Sequence, residues 1–157
     1  MTSIREQFRA NAVALISIAI AIVALGYNTW RNETTETQRN VRHAAFRVLE
    51  SLGELQEIVD TRYYYLPFET THVSEGASRI RGFGTVTMVR DLTGVMPDPA
   101  GQAGTELHDL WLRHFLELHR VSEDGQHTSG ATQAEQNLTG AIRETRAAVL
   151  EVLSRLD

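Results

Sequence analysis

The sequence predicts an all-α protein in which a single N-terminal transmembrane helix continues into an antiparallel, four-helix bundle. One apolar run near the N-terminus is long enough to cross a bilayer, and four later segments carry apolar residues at helical spacing. Short turn-rich stretches separate these segments. We therefore expect a short tail over residues 1–9, a transmembrane helix over 10–30, a polar helical stalk over 31–40 and a helical bundle domain over 41–157.

The composition excludes several classes of function. The chain has 157 residues, enough for one ordinary domain, and its net charge of −5 offers no basic field for nucleic acid. It contains no cysteine, which removes disulfides, thiolate metal sites and cysteine nucleophiles. Its basic residues are all arginine, so lysine Schiff-base chemistry and a P-loop lysine are also excluded. We expect no nucleic-acid partner and no cofactor.

The apolar run over residues 12–25 reads AVALISIAIAIVAL, and its most polar residue is Ser17. Extended to 10–30, it has about the ~20 residues that a helix needs to span a bilayer. Arginines bound the run at Arg9 and Arg31. Aromatic rings next to such an arginine favour the membrane interface. The residues expected at that interface are Tyr27, Trp30 and Arg31.

A cleaved signal peptide is the alternative interpretation of this run. Ala24 and Gly26 could serve as the small residues before a cut at Tyr27. The run is long for a signal peptide, however, its leading residues include Glu6, and a polar helical pattern follows at once. The sequence favours a retained anchor, and therefore contact with a lipid bilayer.

The orientation of the anchor follows from the charges on its two flanks. Counting only arginine slightly favours the C-terminal flank as cytoplasmic, whereas charge density favours the short tail with Arg5 and Arg9. Long C-terminal domains cross membranes largely regardless of their charge. We expect a single-pass protein of a bacterial inner membrane, with its domain on the periplasmic rather than the cytoplasmic side.

Small residues recur along one face of the apolar run, at spacings of four, three, four and three. Small residues let helix backbones approach closely, which is how helices associate in lipid. This pattern, which we call the small-residue seam, predicts a partner helix from a second copy of the chain or from another membrane protein. Chance spacing in an alanine-rich helix is the alternative. The seam consists of Ala10, Ala14, Ser17, Ala21 and Ala24.

The strongest amphipathic pattern begins at Val41 and ends at Pro67. Its apolar positions alternate at four and three residues, and Arg62 fills one of them. A polar stretch without glycine or proline precedes it, over 31–40, so we expect the helix to be continuous. The stripe consists of Val41, Ala45, Val48, Leu52, Leu55, Val59, Arg62 and Leu66.

Two further helices are predicted before residue 122. A loop over 67–78 precedes a helical pattern over 78–96, although its β-branched residues leave a short strand as an alternative. Asp98 then offers an N-cap, with Pro99 at the first helical position. The helix over 105–121 has a broad apolar surface and is expected to be central.

The last helix follows a turn-rich stretch over 122–130. Thr132 and Glu135 form a T-x-x-E pattern, which predicts a capping box at its start. Apolar residues at spacings of four and three then continue from Leu138 nearly to Asp157. The sequence therefore predicts a helix that runs to the end of the chain.

The histidines do not form a metal-binding pattern. His108 and His119 share a face of the predicted central helix but are three turns, or ~16 Å, apart. The pair Glu69 and His72 has the Glu-x-x-His spacing but lies in the predicted loop. No serine lies in a G-x-S-x-G elbow either. We expect no metal site and no catalytic residues.

Two clusters are candidates for contacts with a partner. Arg79, Arg81 and Arg90 could hold an anion, or could form a solvated face that pairs with acidic residues. Gly82-Phe83-Gly84 beside them is too weak a match for a dinucleotide loop, and indicates local backbone relief where a helix begins or packs closely. Three consecutive tyrosines on a helix cannot all face one core, so at least one is expected to be exposed. The candidate contact or end-closing residues are Tyr63, Tyr64, Tyr65 and Phe68.

These patterns favour a non-enzymatic accessory, assembly or scaffolding subunit of a membrane protein complex, with the helical domain docking on its partner. The alternative is a membrane-anchored bundle that senses an anion or small molecule and works through a partner, because the nine-residue tail offers no output domain. An enzyme is a third hypothesis that no group of residues supports.

Overall fold

The computed structural model describes residues 12–68 and 72–156, and within them the chain is all-α, as predicted. The part described has no strand, and one isolated antiparallel bridge joins Val121 to His127. The described helices are α1 (Ala12–Asp60), α2 (His72–Thr93), α3 (Ala100–His114) and α4 (Ser129–Ser154). One π-helical segment and two 3-10 turns accompany them: Thr61–Tyr65, Leu66–Phe68 and Phe115–Glu117.

The chain divides into two compact units between Asn40 and Val41. In the N-terminal unit, α1 is long and apolar enough to cross a membrane by length and composition. None of its most apolar window is buried against the rest of the chain. Its apolar side chains are therefore exposed, which is what a helix in contact with lipid requires.

The C-terminal unit begins with the second part of α1, where the predicted stripe is confirmed. Every stripe position from Val41 to Arg62 is buried, whereas Leu66 is half-buried. The stripe faces a core cluster to which all of the described helices contribute. The spacing of the apolar residues is therefore enough to predict which face of α1 is buried.

Helix α2 begins at His72, so the predicted loop over 67–78 is too long. Glu75 lies in the first turn of α2, where a carboxylate stabilises the helix dipole, and glycine at 76 does not interrupt the turn. The helical interpretation of the following residues is correct, and the strand alternative is wrong. The helix ends at Thr93, where Gly94 follows and its N–H bonds to the carbonyl of Arg90.

The predicted start of α3 is wrong by one residue. The N-cap is Pro99, with φ −90° and ψ 1°, rather than Asp98, and the Asp98–Pro99 peptide bond is cis. The α-helix also ends at His114, earlier than predicted, where the chain tightens into a 3-10 turn. Not all of the predicted apolar surface is buried, because Leu112 on α3 and Leu116 in the 3-10 turn remain exposed.

Helix α4 is capped by Thr128, not by the predicted capping box. The Thr128 hydroxyl accepts a hydrogen bond from the N–H of Ala131 at 3.2 Å. Thr132 lies inside the helix, and the Glu135 carboxylate accepts from the Thr139 hydroxyl at 3.0 Å instead. Thr128 precedes the helix and already accepts from one of the N–H groups that have no partner in the first turn. The pattern of Thr132 and Glu135, one turn later, is therefore not needed as a cap.

Candidate functional site

The stretch Thr61–Tyr65, which we call the tyrosine segment, is a single π-helical turn at the end of α1. The backbone N–H of Leu66 donates to the carbonyl of Thr61, five residues earlier. Such turns occur mostly as single insertions in α-helices and are frequent at functional sites. The segment sends two of its side chains inward and two outward.

Arg62 is fully buried, and its guanidinium donates hydrogen bonds to two other elements. Nη1 lies 3.0 Å from the hydroxyl of Ser78, and Nη2 lies 2.9 Å from Nδ1 of His119. The Glu75 carboxylate is 3.7 Å from Nη2, and the same carboxylate is 3.6 Å from Nε2 of His119. We call Arg62, Glu75, Ser78 and His119 the Arg62 cluster.

An aromatic stack supports this cluster from the core. The guanidinium carbon of Arg62 lies 4.3 Å from the ring centroid of Phe115, a cation–π geometry. Trp111 stacks on Phe115 with centroids 5.0 Å apart. A Cβ on Gly82 would lie 2.7 Å from Trp111, so the predicted close packing occurs at Gly82, whereas Gly84 has open space around it.

Burial lowers the pKa of Arg62 below its ordinary value, and the nearby Glu75 partly opposes that shift. The guanidinium nevertheless stays charged, since arginine is not deprotonated in proteins. Its Nε is buried and has no hydrogen-bond partner among the described residues. The cluster therefore holds a buried cation that shares the Glu75 carboxylate with His119.

Burial, followed by the positive charge of Arg62, also lowers the pKa of His119 below 6.5. The carboxylates of Glu75 and Glu117 oppose that shift, and the cation of Arg120 adds to it. Because a guanidinium has only donors, Nδ1 of His119 must accept its hydrogen bond. His119 is therefore neutral, with its hydrogen on Nε2 facing Glu75.

Tyr63 anchors the tyrosine segment on the opposite side. Its ring stacks on His127 at 3.9 Å between centroids, and its hydroxyl lies 3.2 Å from that of Thr132. The following tyrosine meets it edge-on, at 4.8 Å. Tyr63 is thus a buried link to the start of α4, and so the predicted exposed contact does not include it.

Tyr64 and Tyr65 are exposed, by 55% and 64%. The prediction that the three tyrosines do not share one core is confirmed. Partial desolvation and then the negative charge of Glu135 raise the pKa of Tyr64, so its phenol remains a hydrogen-bond donor. For Phe68 the structure describes the backbone of the 3-10 turn, and its side chain lies outside the described part.

The three predicted anion-binding arginines have separate surroundings. Arg81 lies 3.8 Å from the Glu54 carboxylate, and Arg90 pairs with Asp91 at 2.9 Å. Arg79 is exposed. The pairs at Arg81 and Arg90 match the solvated-face interpretation rather than a convergent anion site.

The two histidines of α3 and the one that follows it also have separate partners. His108 lies 3.4 Å from Arg90, His114 lies 3.2 Å from the Asn137 amide, and His119 belongs to the Arg62 cluster. Within residues 12–68 and 72–156, no group of three or more acidic or histidine side chains could hold a metal ion. Glu69 lies outside the described residues.

The small-residue seam is exposed on α1 at Ala14, Ala21 and Ala24, whereas Ala10 lies outside the described residues. Ser17 donates its hydroxyl to the Val13 carbonyl at 2.8 Å, so its polar group is satisfied within the helix. A shallow apolar recess on a neighbouring face shares one residue with the seam. It is lined by Ala19, Ile20, Val23, Ala24 and Tyr27.

The predicted interface rings lie near one another on α1. Tyr27 and Trp30 are both exposed, with ring centroids 6.2 Å apart. Their amphipathic rings are available for the headgroup region of a bilayer.

The chain matches no protein-family model, no curated protein and no solved structure. Its function is therefore argued from its own residues.

Sequence reasoning missed the Arg62 cluster, although the signal was present. Arg62 occupies an apolar position of the stripe that begins at Val41, and a charged residue in that register must find partners inside. The partners Glu75 and Ser78 could not be identified from the sequence, because the predicted loop over 67–78 left them unplaced.

Proposed function

We propose that this chain is a non-enzymatic, single-pass membrane protein, whose helical domain serves as an accessory, assembly or scaffolding subunit of a membrane complex. The observation that carries the proposal is the exposed apolar part of α1. Between Val13 and Leu25, the large aliphatic side chains that the structure describes are 57% to 77% exposed; these are Val13, Ile16, Ile18, Ile20, Ile22, Val23 and Leu25. That exposure is costly in water and favourable in lipid.

The domain that α1 enters supports a docking role. We propose that its helices form an antiparallel four-helix bundle, which the shared core cluster and the α2–α3 and α3–α4 contacts support. Tyr64 and Tyr65 are fixed by buried neighbours but expose their own rings. Rigid exposed tyrosines are favoured in protein interfaces, since they give large contact area at low entropic cost.

The proposed location is a bacterial inner membrane, with the N-terminus in the cytoplasm and the domain on the periplasmic side. The arginines of the short tail support that orientation. The partner is a second copy of the chain or another membrane protein, contacted along the small-residue seam.

The alternative, a bundle that senses an anion, has weaker support. Arg81 and Arg90 are already paired with carboxylates, and Arg79 is an exposed side chain. An incoming anion would have to displace those pairs.

The test is to solubilise the tagged full-length chain in mild detergent and to measure the mass and identity of what elutes with it. A stoichiometric companion or a defined homo-oligomer is expected. The double substitution Ala14→Leu plus Ala21→Leu should weaken it, because larger side chains keep the helix backbones apart.

Ala12→Leu plus Ala19→Leu is the matched control. It has the same chemistry and the same seven-residue spacing on the opposite face of α1. If only the control lost the companion, the contact would belong to the face of the apolar recess, and the seam would be wrong. A monomer without a companion would overturn the accessory role.

A further inference from the structure

The Arg62 cluster joins three parts of the C-terminal unit through one imidazole. Arg62 belongs to the tyrosine segment, Glu75 and Ser78 to α2, and His119 to the stretch after α3. Nδ1 of His119 accepts from Arg62, while Nε2 faces the carboxylate of Glu75. The ring can make both contacts only when it is neutral.

We propose that the Arg62 cluster is an acid-sensitive latch, in which protonation of His119 breaks its hydrogen bond to Arg62 and releases the tyrosine segment from the stretch that follows α3. A proton on Nδ1 turns the acceptor at 2.9 Å into a second donor that faces a guanidinium. The hydrogen bond is lost, and two cations are left in contact at a site where Arg62 is fully buried. Separation of the two groups relieves both effects.

The other charged groups around His119 do not remove this conflict. The carboxylates of Glu75 and Glu117 favour the protonated ring. Glu75 lies 3.6 Å from Nε2 of His119, but it also lies 3.7 Å from Nη2 of Arg62 and is therefore shared between the two. Arg79 lies close enough to lower the pKa of Arg62, which adds positive charge to the same region. The charged groups that act on His119 are Arg62, Glu75, Glu117 and Arg120.

The direction of the pH effect follows from linkage. The pKa of His119 is lowered below 6.5 while the latch is closed, mainly by burial, so the ring binds protons more readily once the latch opens. A conformation that binds more protons gains population as the pH falls. The stability that the latch contributes is thus complete above pH 6.5 and is lost as the pH falls through the lower pKa of the closed state.

The segment that the latch holds also carries Tyr64 and Tyr65. Acid would therefore loosen the surface that is proposed to dock on a partner. That consequence rests on the proposed function, whereas the latch itself is a property of the isolated chain and is tested without a partner.

The experiment measures backbone hydrogen exchange of the full-length chain in detergent micelles, from about pH 8 to about pH 5. Protection over residues 61–68 and 72–78, corrected for the intrinsic exchange rate, should fall at least about threefold in the wild type. Protection of α4 from Leu138 to Val152 should not change, because no residue of the Arg62 cluster lies on α4.

His119→Gln should remove this pH dependence. The glutamine oxygen can accept from Arg62 and its amide can donate toward Glu75, but the side chain does not titrate. His114→Gln is the matched control, since it removes a neighbouring histidine that contacts Asn137 instead. It should keep the wild-type response.

A constant protection over residues 61–68 and 72–78 in the wild type, or an unchanged response in His119→Gln, would overturn the latch. A histidine titration of the wild-type chain by NMR decides the question even if His119→Gln fails to fold. The His119 ring should titrate below 6.5, and titration at or above that value would also overturn it.

Discussion

Aliphatic side chains are exposed in the first part of α1 and buried in its second part. From Val13 to Leu25, the large aliphatic side chains that the structure describes are exposed, whereas from Val41 to Val59 the stripe residues are buried. The difference lies in the pattern and not in the residues. The first part is apolar on every side, and the second has one apolar stripe beside a polar face. A helix of the first kind suits an apolar solvent, and a helix of the second kind suits a protein core.

The hydroxyl groups of the two units repeat this contrast. In the N-terminal unit, Ser17 and Thr35 donate to carbonyls four residues back in their own helix. In the C-terminal unit, the hydroxyl of Thr145 also lies 3.1 Å from the carbonyl of Ala103 on α3. Polar groups in the first unit are satisfied locally, while in the second they also connect elements.

The largest expected effect comes from one substitution made in both parts of α1. Leu52→Ala should destabilise the domain by about 2–5 kcal/mol, because Leu52 is fully buried and its loss leaves a cavity. Leu25→Ala should change the free energy of unfolding by less than ~0.5 kcal/mol, since Leu25 is 69% exposed. Denaturant unfolding of the full-length chain in micelles, followed by far-UV circular dichroism, measures both. Equal losses would mean that Leu25 is packed as tightly as Leu52.

One glycine substitution in each part of the chain tests the same comparison, with an expected change in the free energy of unfolding of intermediate size. A Cβ on Gly104 would overlap the Thr93 hydroxyl oxygen, so Gly104→Ala should lower the free energy of unfolding by about 1–3 kcal/mol. A Cβ on Gly26 meets nothing within 4 Å, and Gly26→Ala should cause no loss, because alanine has the higher helix propensity. The same unfolding measurement applies to both variants.

Thr93→Ala provides the control for this mechanism. It shortens the side chain that a Cβ on Gly104 would meet, so the double variant should recover part of the loss caused by Gly104→Ala. If the two losses simply add, the close approach of α2 to α3 is not their cause.

Periodicity predicted the long elements well, because each buried stripe repeats over many turns. The stripe from Val41 and the last helix from Leu138 both have their apolar positions in the core. Helix ends were predicted less well, since a cap depends on one or two local hydrogen bonds. Asp98 and Thr132 both fit a capping pattern, but the chain begins each helix elsewhere.

The candidate site was only partly predictable, for a related physical reason. The spacing of three consecutive tyrosines was enough to predict an exposed ring, but not that Tyr63 would be the buried one. That choice depends on the contacts of Tyr63 with His127 and Thr132, which lie more than 60 residues away in the chain. The contacts between Arg62 and His119, which are 57 residues apart, depend on tertiary packing that no local pattern encodes.

The smallest expected effect is that of removing a helix-capping threonine, compared with removing a threonine whose hydroxyl bonds only within its own helix. Thr128→Ala should destabilise the domain by about 1 kcal/mol, because it leaves the N–H of Ala131 without its side-chain acceptor. Thr35→Ala should be neutral or slightly stabilising, since its hydroxyl bonds back to the Arg31 carbonyl and alanine favours the helix. Unfolding in micelles again gives both values.

Glu135→Ala completes this experiment, because it distinguishes the two possible starts of α4. The predicted capping box requires Glu135 to stabilise the first turn, whereas the structure pairs its carboxylate with the Thr139 hydroxyl inside the helix. Glu135→Ala should therefore lower the free energy of unfolding by less than Thr128→Ala does. A larger loss from Glu135→Ala than from Thr128→Ala would return the start of the helix to Thr132, where the sequence pattern alone had placed it.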